Sequence, residues 1–228
     1  MKLIAIDTST ENCSVALLNE DRIAFRSEVA PQKHAEIVLE MLDTILKDNS
    51  LSKDDLDGLV LGIGPGSFTG VRIAASTVQG LALGLNLKVA KITSLEALAI
   101  EALSKASASY VVSSIDARMG EVYIAVYKVE GSSLSLLSEE KVLKPEDAVA
   151  FFKENVGECD DVICAGSGVD ILKKAGMNDY PKLADFPQAQ FLLNKGAELF
   201  SLGKVVDPEE ALPLYVRNEV TWKKVSEQ

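Results

Sequence analysis

The chain opens with a short apolar run, residues 3–6, that stops at Asp7 and gives way to the small polar group Thr8, Ser9 and Thr10. Segments 13–18 and 23–29 read as two further strands, and Asn19, Glu20 and Asp21 between them suit a hairpin turn. Three strands before any helix are unlike the start of a Rossmann domain. Segment 33–46 then takes up helical spacing, with His34, Val38, Met41 or Leu42, and Ile45 on one stripe that Ile37 and Leu39 widen. After the acidic cluster Asp54, Asp55 and Asp57 come a buried strand over 59–63, a glycine turn, and a second helix over 67–85. A strand over 88–92 and a helix over 94–103 capped by Ser94 complete a βββαβαβα order, which predicts a mixed sheet with helices on its faces.

A polar stretch of small residues, 104–109, marks the boundary, and beyond it the order partly repeats. An apolar run over 110–115 ends at Asp116, 121–129 alternates as a strand, and 134–142 returns as another. A helix over 145–153, a strand over 162–165 leading to Gly166, Ser167 and Gly168, and a helix over 169–175 follow. Two openings of the form "apolar strand, then Asp" predict a duplicated α/β architecture. The expected division is 1–104, 105–190 and 191–228. The last part holds a helix over 188–202 with Phe191, Leu192, Leu199 and Leu202 as core contacts. Its tail carries Pro213, Tyr215, Arg217 and Trp222 and is expected to close against the first domain.

Composition narrows the partners. The 228 residues are 47% hydrophobic and 25% charged, with 23 basic against 34 acidic side chains and a net charge of −11. A chain of this length buries roughly 70% of its extended surface, enough for one large core or two small ones. No run of Lys and Arg exists to track a phosphate backbone, which argues against RNA or an anionic membrane as a direct partner of this chain alone. Cys13, Cys159 and Cys164 are odd in number and irregular in spacing, as small buried hydrophobes in a reducing compartment would be. The absence of an apolar window long enough to span a bilayer, or of a signal-peptide pattern, leads to the expectation of a cytoplasmic protein.

The single histidine, His34, has no second imidazole at helical spacing, so the sequence offers no metal centre, and no serine sits in a nucleophile elbow. No catalytic residue is assigned. Asp7, Thr8 and Ser9 lie where a strand ends, and Asp116 holds the comparable place in the second half. Two such turns across a cleft could hold Mg²⁺ and the phosphates of ATP, or serve only as loop-capping aspartates. Gly64, Pro65 and Gly66, with Ser67, Thr69 and Gly70, form neither a P-loop nor a dinucleotide fingerprint. That turn either brings backbone N–H groups to an anion or lets a strand and helix pack closely, and the second reading is slightly better. From 68 to 85 the only charge is Arg72, and apolar residues point in nearly all directions. Such a helix predicts an outward side covered by another domain or another protein, with burial inside the monomer as the alternative.

The run IGPGSFTGVR, residues 63–72, resembles the most recognisable motif of the TsaB (YeaZ) family. Supporting pieces keep the family's order: LIAIDTS at 3–9, KHAE at 33–36, TSLEAL at 93–98, Asp116-Ala117-Arg118 with Glu121-Val122-Tyr123, and PLYVR at 213–217. The resemblance spans nearly the whole chain. It implies two related actin-like domains of the sugar-kinase and Hsp70 superfamily. It also implies a non-catalytic partner of TsaD in threonylcarbamoyladenosine modification of the adenosine 3′ of the anticodon, in tRNAs reading A-starting codons. TsaE, an ATPase, would join the pair, a homodimer would use an overlapping surface, and tRNA would be touched mainly by the partners. The implied partner surface takes His34, Val38 and Met41 from the first helix and Phe68, Val71, Arg72, Ala75, Val78 and Gln79 from the second. Arg72 is expected at the rim of that contact or on a carboxylate of its own chain. No cofactor is required, and Asp7, Thr8, Ser9 and Asp116 would form at most a vestigial site for weak ATP or ADP with Mg²⁺. The competing expectation is a stand-alone ATP-dependent kinase or ATPase of the same superfamily.

Overall fold

The computed structural model describes residues 1–131 and 133–216. Its first half runs β1 (Lys2–Asp7), β2 (Asn12–Asn19), β3 (Arg22–Val29), α1 (His34–Asp48), β4 (Gly58–Gly62), α2 (Phe68–Leu85), β5 (Val89–Ile92) and α3 (Ser94–Lys105). The strands form one sheet in the order β3-β2-β1-β4-β5, with β1, β2 and β3 antiparallel and β4 and β5 parallel to β1. The second half runs β6 (Tyr110–Arg118), β7 (Glu121–Glu130), β8 (Ser133–Leu136), β9 (Lys141–Leu143), α4 (Pro145–Val156), β10 (Val162–Ala165), α5 (Val169–Lys174), β11 (Lys182–Ala184) and α6 (Leu193–Ser201). Its sheet repeats the first strand for strand, in the order β11-β10-β6-β7-β8, with β9 added on β7. The duplication expected from the two strand-end aspartates is thus a duplication of topology.

Each sheet is apolar on both faces, as strands with continuous Val, Ile, Leu and Ala runs require. α1 and α2 cover one face of the first sheet through Val38, Leu42, Ala74 and Val78, and α4 and α5 cover one face of the second through Phe152 and Leu172. The remaining faces are exchanged. α3, contributed by the first half, lays Leu95 and Leu98 on the second sheet. α6, contributed by the second half, returns Leu193 to the first sheet beside Leu3 and Val60. The helices that close each half therefore bind the two halves together. The segment after α6 also returns to the first sheet: Val206 bridges Val89, and the Leu214 N–H donates to the Ile63 carbonyl at 2.8 Å. Arg217 and Trp222 lie outside the described residues.

Several local expectations need correction. The helix cap is Thr93, whose Oγ1 accepts from the Glu96 N–H at 3.1 Å, and Ser94 turns its hydroxyl elsewhere. The single return strand over 134–142 is two strands, β8 and β9, because Ser138, Glu139 and Glu140 break the pairing. β11 carries only Lys182, Leu183 and Ala184, too few positions for a period to show. Leu202, expected in the core, is 58% exposed, and Leu39, expected to widen the apolar stripe of α1, is 54% exposed. Among the described residues no helix is long and apolar enough to cross a membrane.

Candidate functional site

The glycine turn is built around Asp7. Its Oδ1 accepts from the Ser9 N–H at 2.8 Å and the Ser9 hydroxyl at 2.7 Å, and its Oδ2 accepts from the Ser94 hydroxyl at 2.8 Å. Thr8 donates its hydroxyl to the Gly70 carbonyl at 2.7 Å, and the Ser67 N–H donates to the Ser9 carbonyl at 2.7 Å. A β-carbon on Gly66 would stand 2.2 Å from the Ser9 carbonyl oxygen, and one on Gly70 would stand 2.1 Å from that of Thr8. Only glycine permits this approach. The turn, entered through a cis Gly64–Pro65 bond, therefore serves close packing of α2 on the end of β1. Ser67 caps α2, its Oγ accepting from the Gly70 N–H, and Thr69 is exposed.

This geometry separates the four residues of the expected nucleotide set. Asp7, Thr8 and Ser9 have no accessible surface, and all three side chains bond within the chain. A cleft of about 710 Å³ does lie between the halves, and Ser9 and Asp116 line it, but Asp7 and Thr8 do not. Asp116 accepts from the Arg118 N–H at 2.8 Å and pairs with its guanidinium at 3.0 Å, while the same guanidinium reaches across to Glu11 of the first half. Cys13 and Cys164 are pushed up to about 12, chiefly by burial, which leaves their thiols protonated and inert. His34 is buried at the start of α1, its Nε2 without a hydrogen-bond partner. Among the described residues no three His, Cys, Asp or Glu side chains gather so as to hold a metal ion.

The expected partner surface divides in two. Val38, Met41, Ala75 and Val78 are buried inside the monomer, packed with Ile4, Leu42 and Leu61, and Val71 and His34 are buried too, so these six present little side chain at the surface. Gln79 donates to the Pro208 carbonyl at 3.1 Å and holds the chain after α6. Among the described residues Arg72 meets no carboxylate: its Nη1 donates to the Phe68 carbonyl at 2.8 Å and its guanidinium lies 3.3 Å from the Phe68 ring centre and 5.0 Å from that of Tyr215. A cation over an aromatic face in this way holds both rings in place. The outer face that does exist runs from Phe68, 61% exposed, past Arg72 and Ser76 to Gly80, Leu83 (69% exposed) and Gly84. Beside it Ala35 and Leu39 of α1 flank a groove of about 350 Å³ floored by Ile73 and Thr77. Leu39, Ser76, Gly80, Leu83 and Gly84 were missing from the expected surface, although the four-residue spacing of Ser76, Gly80 and Gly84 carried the signal.

Two actin-like α/β halves, joined by exchanged helices, with the strand-end aspartate of one half sealed and an apolar helix face left open, place the chain in the class of duplicated actin-like α/β folds. A family model described as "TsaD: tRNA N6-adenosine threonylcarbamoyltransferase" matches residues 25–209. The chain is 39% identical to the tRNA threonylcarbamoyladenosine biosynthesis protein TsaB of Escherichia coli (strain K12), over 99% of its own length and 98% of the relative's. It is 36% identical to the TsaB of Haemophilus influenzae, over 99% and 97%. The solved structure of YeaZ from Pseudomonas aeruginosa superimposes with a TM-score of 0.86 at 37% identity, covering 94% of this chain and 99% of that one. The chain belongs to the TsaB/YeaZ family, the accessory branch of tRNA threonylcarbamoyladenosine biosynthesis.

Proposed function

We propose that this chain is the subunit that binds TsaD through the outer face of α1 and α2 and holds it in the conformation competent for threonylcarbamoyl transfer. The acceptor is the adenosine 3′ of the anticodon in tRNAs reading A-starting codons, TsaE joins the pair, and the work is done in the cytoplasm. The observation that carries the reading is a cost without a return in the monomer. Gly80 and Gly84 lie in the interior and last turn of an 18-residue helix, where each glycine costs about 1 kcal/mol relative to alanine. A β-carbon at either position would meet nothing within 4 Å, so the monomer's own packing does not call for them. Small residues every fourth position, flanked by exposed Leu39, Phe68 and Leu83, fit a second helix approaching closely. An acidic chain leaves most tRNA phosphate contacts to its partners.

Gly80→Leu is the test. It adds bulk on the outer face with no neighbour to displace, so thermal stability should hold while co-elution with purified TsaD is lost. Retention of the complex would reject this placement. Ala75→Glu would not serve, because Ala75 is buried and its replacement would damage the core. No nucleotide is required in this reading. Adenine nucleotide with Mg²⁺ would enter the cleft against Asp116, and its binding is expected to be weak because Asp7, Thr8 and Ser9 are engaged elsewhere. Titration calorimetry with ATP and Mg²⁺ measures it, and tight binding with turnover would favour an independent ATPase instead.

A further inference from the structure

The segment after α6 runs along α2 as a strap. Lys88 pairs with Asp207 at 2.6 Å, Gln79 donates to the Pro208 carbonyl at 3.1 Å, and Lys91 donates to the Glu210 carbonyl at 3.0 Å. Ala211 is buried in the core that α2 completes, and the Leu214 N–H is bound to the Ile63 carbonyl. Tyr215 therefore reaches Arg72 on a backbone already anchored up to the residue before it. Tyr215 lines the cleft between the halves, Arg72 lines the groove of α1 and α2, and Phe68 lines both. These three side chains form the wall between the two cavities.

Phe68 is the aromatic anchor of the face proposed for TsaD, 61% exposed at the first position of α2. A free exposed ring turns about two side-chain torsions, and fixing it on association lowers affinity; a ring fixed beforehand avoids that loss. Arg72 fixes this one from the next turn of the helix. Its Nη1 donates to the Phe68 carbonyl at 2.8 Å while its guanidinium lies over the Phe68 ring. Its other ring contact is Tyr215, 5.0 Å from guanidinium carbon to ring centre. Arg72 is the only charge between residues 68 and 85. A guanidinium is weakly hydrated and stacks on rings, so it tolerates an apolar face from which water is excluded. We infer that Tyr215 is a positioning residue for the partner surface: it touches Arg72, and through Arg72 it holds the Phe68 ring in the orientation that TsaD receives. The inference rests on the reading that α1 and α2 meet TsaD, and it gives the strap from the second half of the chain a part in that contact.

Titration calorimetry of the full chain with purified TsaD tests it. Tyr215→Ala should weaken binding about fivefold, and Tyr215→Phe, which keeps the ring, should bind like wild type. Arg72→Lys, which loses the planar cation, should weaken binding to a similar extent. The cycle with Phe68→Ala isolates the route: once that ring is gone, Tyr215→Ala should cost nothing further, because its effect passes through Phe68. Leu212→Ala, at a similarly exposed strap position outside the stack, should leave affinity unchanged. Wild-type affinity in Tyr215→Ala would overturn the inference. So would additive losses in the cycle, which would put Tyr215 against TsaD directly, or a loss in Leu212→Ala as large as in Tyr215→Ala, which would make the strap a support of the fold alone. Each of these failures leaves the TsaD reading standing so long as Gly80→Leu abolishes the complex, whereas a complex that survives Gly80→Leu rejects the reading itself.

Discussion

The two halves share a strand order and a glycine-assisted junction, yet they use the junction differently. In the first half Gly66 and Gly70 let α2 press on the Thr8 and Ser9 carbonyls; in the second, a β-carbon on Gly166 would stand 2.0 Å from the Ser114 carbonyl oxygen. Asp7 is sealed with three donors around it, whereas the Asp116 side chain is 27% exposed and held by Arg118 at the cleft wall. The helix after the junction has 18 residues in the first half and six in the second. One backbone frame therefore supports a closed structural joint on one side and an open wall on the other. The long α2 exceeds what its sheet needs, since its inner face completes the core while Phe68, Leu83 and two glycines face out.

Exchanging alanine for each aspartate tests that asymmetry with the largest expected effect. Asp7→Ala strips acceptors from the Ser9 N–H, the Ser9 hydroxyl and the Ser94 hydroxyl, all buried, and should cost on the order of 4 kcal/mol in urea unfolding. Asp116→Ala removes a partly exposed pair and should cost less than about 1 kcal/mol. Equal losses would mean that the two junctions are mechanically alike.

A smaller effect lies where the halves touch. Glu140, between β8 and β9, is pushed up to about 7, first by burial and then by Glu96, against hydrogen bonds from Thr93 and Tyr127. Its folded value exceeds the unfolded value, so the folded state holds the extra proton. Stability from this group is full below about 4.5 and falls as pH rises towards 7. Glu140→Gln should therefore gain about 2 kcal/mol relative to wild type at pH 8 and little at pH 4.5, read as melting temperature across that range. A difference independent of pH would place the carboxyl in solvent.

How much of this was legible beforehand differs between the same two regions. The strands of the first half and the His34, Val38, Ile45 stripe follow a clear period, and α1 lies within two residues of its expected ends. α2 cannot be phased from sequence, because an apolar helix shows no polar side to mark the exterior; Val71, Ala75 and Val78, expected outward, are buried. The engagement of Asp7 away from the cleft is hidden for another reason. The Asp7 hydroxyl partner, Ser94, is 87 residues away in sequence, and no local pattern announces it.

The smallest expected effect bears most directly on why α2 is long and apolar. Gly84→Ala adds a methyl group into open space on an exposed turn, so in the isolated chain it should stabilise by about 0.5–1 kcal/mol through helix propensity alone. If α2 meets TsaD as proposed, the same methyl group would stand between two closely approaching helices, and affinity should fall about tenfold by titration calorimetry. Opposite signs for stability and binding would separate the two roles of α2, one face for its own sheet and the other for a partner. If both rise together, the glycine has no partner to accommodate, and the long helix of the first half needs a different explanation.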